Sequence, residues 1–251
     1  MADQNPLLIF MHLPKSGGTT VSAHLARHLT MDEDFIEFSN WGEVYRQKNC
    51  RTPFARRALA ERQNARVLVG HNVNYGIHLL CPGREPRYLT SVREPAERCV
   101  SAFNFQHSRG HAPACFEEWY DTQYRINPRS SAVRFFAERW SRSELEDAGD
   151  RQMFDMAKTL LRQFWMVTTT RQLNELLSEI CQSLDISMDW QNQRVAGVSG
   201  PLNLPNHPSQ GERIRRHQTL DDQIRQRVYA DFPYDLDLYQ WIEEGQWKVE
   251  D

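Results

Sequence analysis

The sequence predicts an α/β fold, a three-layer sandwich with a mainly parallel central sheet. Short apolar runs recur at 7–11, 67–69, 87–92 and 164–168, and such runs suit strands buried on both faces. Helical patterns lie between them, and alternating strands and helices imply parallel crossovers. The first run passes directly into a glycine turn and a helix. That sequence of elements is an anion-binding geometry, because free amides and the positive end of the helix dipole face one spot. At 251 residues the chain is expected to form one domain, 1–251, with a substantial core.

Leu7–Met11 forms the first strand, and Pro14 stops it. Lys15-Ser16-Gly17-Gly18-Thr19-Thr20 turns the chain, and Val21, Leu25 and Leu29 recur at i, i+4, i+8 as an amphipathic stripe. Lys15 adds a full charge at the turn, and Ser16, Thr19 and Thr20 add donors. Gly17 and Gly18 are expected to let the backbone approach a ligand. The lysine precedes the glycines, so this is not G-x-x-x-x-G-K-[ST].

Residues 31–50 read as an irregular connection with a short strand at Phe35–Phe38. Thr52–Asn64 reads as one helix, capped by Thr52, with Pro53 in the first turn and Phe54, Ala58 and Leu59 on one face. Val67–Val69 is the next strand, ending at Gly70-His71. Arg87–Val92 is the third, and Glu94-Pro95 opens a helix through Cys99, Val100 and Phe103. Phe116, Trp119 and Tyr120 form a packing cluster, and 127–140 is helical. Phe164–Thr168 is the fourth strand, followed by a helix through Leu173, Leu176, Leu177 and Ile180. Gly197–Gln210 is a loop, and 220–241 is helical around the turn Phe232-Pro233-Tyr234. Ligands of such sheets sit at the carboxyl ends of the strands. His12–Thr20, Gly70–His78 and Arg93 all follow strands and are expected to meet there.

A net charge of −3 gives no overall field for nucleic acid. The basic run Arg46, Lys48, Arg51, Arg56, Arg57, Arg62 and Arg66 reads either as a solvated helix face or as a landing surface for an anion. Five cysteines without a C-x-x-C pair argue against a disulfide framework or a zinc site, and for a reducing compartment. No stretch has signal-peptide or membrane-spanning character. No His/Cys/carboxylate group shows metal spacing, and no G-x-S-x-G elbow is present.

Residues 12–20, HLPKSGGTT, resemble the H-x-P-K-[ST]-G-G-T-[ST] loop of sulfotransferases that use 3′-phosphoadenosine 5′-phosphosulfate (PAPS). The resemblance is nearest the carbohydrate branch, the heparan sulfate 2-O- and 6-O-sulfotransferases and their bacterial relatives. It implies a P-loop-NTPase-like sulfotransferase fold, PAPS as donor, its product PAP, and no metal. Lys15 would sit on the bridging oxygen of the leaving phosphate. The amides of Ser16, Gly17, Gly18, Thr19 and Thr20 and the Thr19 hydroxyl would bind the 5′-phosphosulfate. Residues 90–103, TSVREPAERCVSAF, resemble the family's strand–R-[DE]-P–x-x-R–x-x-S segment, whose Arg and Ser hold the 3′-phosphate. Carried over, these are Arg93 and Ser101. The rival reading of Arg93 is an ion pair with Glu94 or Glu97, and Arg98 reads as a surface or structural residue.

GHNVNYGIH, 70–78, resembles the family's G-H-x-x-x-G-x-H segment, with four residues instead of three between His71 and Gly76. A sulfuryl acceptor alcohol must lose its proton, and a neutral histidine can take it. His71 and His78 are the candidates. His71 is preferred because it follows its strand directly. Arg194, in the loop Trp190–Gly200, is a further candidate for the 3′-phosphate. Asp235–Tyr239 resembles the family's C-terminal D-x-x-L-Y element and reads as packing, and residues 104–163 are expected to carry the acceptor site. The resemblance thus implies O-sulfation of a hydroxyl-bearing acceptor, a carbohydrate or small alcohol, by a soluble cytoplasmic enzyme without a membrane anchor. Two rivals stand beside it. One is a small-molecule kinase, which would need Mg²⁺ and an acidic strand end. The other is a non-catalytic PAP- or polyanion-binding module, which would need no histidine base.

Overall fold

The computed structural model of the chain describes residues 6–38, 51–141, 143–145, 147–189 and 218–248. Arg46, Lys48, Cys50, Arg194 and the loops expected at 190–200 and 197–210 lie outside the described residues, as do the side chains of Arg51 and Thr52.

The chain forms β1 (Leu7–Met11), α1 (Gly18–His28), β2 (Phe35–Glu37), α2 (Arg51–Ala55), α3 (Leu59–Asn64), β3 (Val67–Gly70) and β4 (Pro86–Val92). Next come α4 (Pro95–Ser108), α5 (Phe116–Trp119), α6 (Ala132–Trp140), α7 (Asp150–Leu161), β5 (Met166–Thr169), α8 (Leu173–Leu184), α9 (Asp222–Asp231) and α10 (Pro233–Glu243). The five strands run in the order β2-β3-β1-β4-β5, and every neighbouring pair is parallel. No described helix is long and apolar enough to cross a membrane.

The alternation along β1 assigns the layers. Leu7, Ile9 and Met11 face a core with α6, α7 and α10, while Leu8 and Phe10 face a second core with α1 and α8. Both faces of the strand are therefore covered, which is why its sequence is apolar without interruption. A third cluster joins Ala96, Cys99 and Phe103 of α4 to Phe116, Trp119, Tyr120 and Tyr124, and to Ile224 and Val228 of α9. The packing expected for Phe116, Trp119 and Tyr120 is present there.

The chain leaves β1 toward β2 on one side and leaves β4 toward β5 on the other. The strand order thus reverses between β1 and β4, the switch point where open parallel sheets leave a crevice at their carboxyl ends. The loop after β1 and Arg93 after β4 flank that crevice, and the loop after β3 adjoins it.

Two local expectations are corrected, and a third, Arg98 as surface or structural, is narrowed to structural. The helix expected over 52–64 is two short helices, and Ala58 and Leu59 are exposed instead of sharing the buried side of Phe54. In the described part of the basic run Arg56 is exposed, as on a solvated face, whereas three other guanidiniums are committed to the protein's own carbonyls. Arg57 donates to the Asp32 carbonyl at 2.7 Å, Arg62 donates to the Leu80 carbonyl at 2.6 Å, and Arg66 donates to the Leu184 carbonyl. These guanidiniums satisfy carbonyls at a turn and at two helix ends between the strands. Arg98, finally, is fully internal. It is 4% exposed and pairs at 3.1 Å with Asp235, itself 3% exposed.

Candidate active site

The loop after β1 is shaped by two residues with positive φ, Lys15 at 66° and Gly17 at 87°. A lysine in the left-handed region is uncommon, and such conformations persist where the surroundings impose them. Gly17 then serves as the N-cap of α1, with no side-chain cap and no acidic residue in the first turn. The helix start is therefore left for an anion. Ser16 is fully buried, and its hydroxyl has no protein partner. Thr19 is exposed in the first turn, and Thr20 is half-buried.

The glycines have reasons beyond the one the sequence suggests. A Cβ on Gly18 would overlap the His12 ring, and one on Gly17 would press on Leu173 at 3.1 Å. The pair is small because the turn is packed against the protein itself. Gly18→Ala should thus cost about 1–3 kcal/mol in a denaturant melt, the usual range for overpacking. Gly149→Ala, with no atom within 4 Å of the added methyl, is the steric control: it should lose the N-cap preference for glycine over alanine and no packing.

His12 and His71 lie ring to ring, 4.1 Å between centroids. His71 Nδ1–H donates to the His12 carbonyl at 2.8 Å. A carbonyl only accepts, so this bond fixes the tautomer and leaves Nε2 of neutral His71 as a proton acceptor. Burial lowers the His71 pKa and the His12 carbonyl partly restores it, while Arg139 and Lys15 lower it further. Arg139 of α6 also donates to the His71 carbonyl and so holds the loop. His12 is pushed well below the usual imidazole range, first by burial and then by His71 and Lys15, so it stays neutral.

Lys15 reaches the same place. Its ammonium sits 3.9 Å above the Phe105 ring, whose surroundings also include the Arg109 guanidinium at 4.2 Å. Burial, Arg93 and Arg109 together pull the Lys15 pKa down to about 8. Arg93 pairs with Glu97 at 3.1 Å, so the ion pair named as its rival role is present. The same guanidinium lines an open depression of ≈ 440 Å³ with Glu97, Val100, Ser101, Asn104 and Leu220. Glu94 is the N-cap of α4, accepting from the amides of Ala96 at 3.1 Å and Glu97 at 2.7 Å. Three cations, an uncapped helix start and an unpartnered hydroxyl thus gather at the switch point, a donor set that suits a multiply charged phosphate-type anion.

The structure brings together Lys15, Ser16, Gly17, Gly18, Thr19, Thr20, Arg93, Ser101 and His71 around this crevice. It does not bring His78 there. His78 Nδ1 is bonded to the Tyr88 hydroxyl at 2.8 Å, and Tyr88 also accepts the Gly76 amide. Tyr88 lies opposite Ile9, four residues before Val92, roughly 13 Å back along the strand.

Sequence reasoning missed Phe105, Arg109 and Arg139. A signal for the first two existed. Ser101, Phe105 and Arg109 follow one another at four-residue spacing, and each such step joins neighbours on a helix surface. Arg139 carried none, because its contact with His71 spans 68 residues of sequence.

The model of the Sulfotransferase family matches residues 1–241. Among solved structures, a sulfotransferase from Alicyclobacillus acidocaldarius is similar to this chain, with a TM-score of 0.45 and 13% identity. The similarity covers 96% of this chain and 98% of that one. No curated protein matches.

Proposed function

The chain belongs to the sulfotransferase family, and from that premise we propose that it moves the sulfuryl group of PAPS to an acceptor hydroxyl by in-line displacement. The observation that carries this reading is the convergence of Lys15, Arg93 and neutral His71 at one switch point. Lys15, the amides of Gly17, Gly18 and Thr19 and the Ser16 and Thr19 hydroxyls would hold the phosphosulfate end, the Ser16 and Thr20 amides being bonded to the Leu13 and Gly17 carbonyls. Arg93 and Ser101 would hold the 3′-phosphate, for which Arg93 must share or exchange Glu97. PAPS would supply the activated sulfuryl group. The protein's part is to orient the two reactants and to stabilise the charge that spreads onto the leaving phosphate. His71 Nε2 would take the acceptor's proton, held in that tautomer by the His12 carbonyl. His78, tied to Tyr88, would support the loop from below or bear on acceptor binding. The acceptor is proposed to be a carbohydrate or small alcohol.

The test starts with binding. PAP should raise the melting temperature without added metal, because a ligand that binds only the native state stabilises it by mass action. Protection by ATP–Mg²⁺ and not by PAP would establish a kinase instead. Arg93→Ala should weaken PAP binding by about 1.5–3 kcal/mol, the scale of a charge-assisted hydrogen bond. Lys15→Ala should lower turnover more than PAP affinity, since its charge matters most in the transition state. Turnover is followed with radiolabelled PAPS and a panel of sugar, phenol and alcohol acceptors. Binding of PAP without transfer to any of them would favour a binding module.

A further inference from the structure

At the other end of α1, His24 and His28 stand four residues apart and so share one helix face. Asp189, from the segment that follows α8, meets them. His28 Nε2 and Asp189 Oδ1 are 3.0 Å apart, and His24 Nδ1 and the same oxygen are 3.8 Å apart. The three donor atoms lie within 4.8 Å of one another. The expectation that no residues have metal spacing overlooked this, because the pair is separated from Asp189 by more than 160 residues.

We propose that His24, His28 and Asp189 form a binding site for a divalent transition-metal ion, with Zn²⁺ the best match. Two imidazoles and one carboxylate are a zinc ligand set, and water completes the tetrahedron. Metal–ligand bonds of about 2.0–2.1 Å place tetrahedral ligand atoms roughly 3.3 Å apart. The observed 3.0 and 3.8 Å bracket that value. Asp189 is 52% exposed, which leaves a path for the ion and its water.

The outer shell is also present. Arg27 donates to His24 Nδ1 at 3.1 Å, so Nδ1 is the lone-pair nitrogen and Nε2 carries the proton. That Nε2–H faces Cys181 Sγ at 3.1 Å, the kind of second hydrogen bond that orients a ligating histidine. Arg27 holds the lone pair that the ion would take and also pairs with Asp189 Oδ1 at 3.4 Å, so the ion would displace a side chain that is 46% exposed from both ligands. His28 donates its Nε2 proton to Asp189 in the metal-free protein. Binding moves that proton to Nδ1 and replaces the hydrogen bond by two bonds to the ion. The consequence is mechanical: the ion pins the segment after α8 to the far end of the helix whose start forms the anion loop.

The experiment is calorimetric titration of the dialysed full chain with ZnCl₂, with a thermal melt and Co²⁺ absorption as second readouts. One ion per chain, a higher melting temperature and the visible band of tetrahedral Co²⁺ are expected. His28→Ala and Asp189→Asn, both outside the buried core, should each weaken Zn²⁺ binding at least about tenfold. Arg27→Ala should tighten it by removing the competitor. PAP stabilisation should be unchanged in His28→Ala, which separates this site from the one proposed above. Absence of binding, or binding that neither His28→Ala nor Asp189→Asn weakens, overturns the proposal. Equal or weaker binding in Arg27→Ala overturns the placement at Nδ1.

Discussion

His71→Ala should lower kcat roughly 10²-fold or more, the usual scale for a general base, while PAP affinity stays close to that of the parent. The side chain is chosen over His78 on geometry. Its Nδ1 is committed to the His12 carbonyl, its Nε2 is left as acceptor, and its neighbours are Lys15 and Arg139. His78→Ala should act on acceptor KM instead, since that ring is bonded to Tyr88. A near-parental kcat in His71→Ala beside a collapse in His78→Ala would reverse the roles. The pH profile gives a second reading. His71 must be unprotonated, and its pKa is lowered, so kcat/KM should fall only as the pH drops below the ordinary imidazole range. Lys15 must be protonated, and its pKa is about 8, so kcat/KM should fall again as the pH rises through that value. A bound phosphate raises the Lys15 pKa, so the alkaline limb of kcat should lie higher than that of kcat/KM.

Asp235→Ala should produce the largest loss of stability, about 3–5 kcal/mol in a denaturant melt. The carboxylate accepts from the amides of Ala132 at 2.7 Å and Val133 at 3.0 Å, from Ser131 Oγ at 2.8 Å, and from Arg98. It thereby caps α6 from α10 and neutralises a guanidinium buried in α4. Removing it strands that charge and two amides away from water. Asp235→Asn keeps an acceptor for the amides but leaves Arg98 uncompensated. Combined with Arg98→Met, it should lose less than the two single changes added together, because no lone charge remains. A loss below about 1 kcal/mol in Asp235→Ala, the value of an exposed pair, would mean that water reaches the site.

The sequence alone located the five strands found among the described residues to within two residues at each end, and the loop from His12 to Thr20. The reason is local. A strand buried on both faces is apolar at every position, and a glycine turn before an amphipathic stripe is written in adjacent residues. The helix of 52–64 failed on the same ground, because only Phe54 finds a core and nothing holds the middle together. The charged residues were the least legible. Arg57, Arg62 and Arg66 read as a solvated face or a landing surface and are bound to distant carbonyls, and Arg98, which read as surface or structural, is structural and internal.

What the sequence by itself determined is therefore the layered parallel architecture and the identity of the cationic loop, since both rest on neighbours in the chain. The tertiary structure alone gives the two histidines different partners, through bonds from His71 to His12 and from His78 to Tyr88. It alone decided that Gly18 makes room for His12, and that Phe105, Arg109 and Arg139 belong beside Lys15 and His71. Those outcomes depend on contacts between separate elements, whose geometry follows from strand order and helix packing and leaves no periodic trace in the sequence.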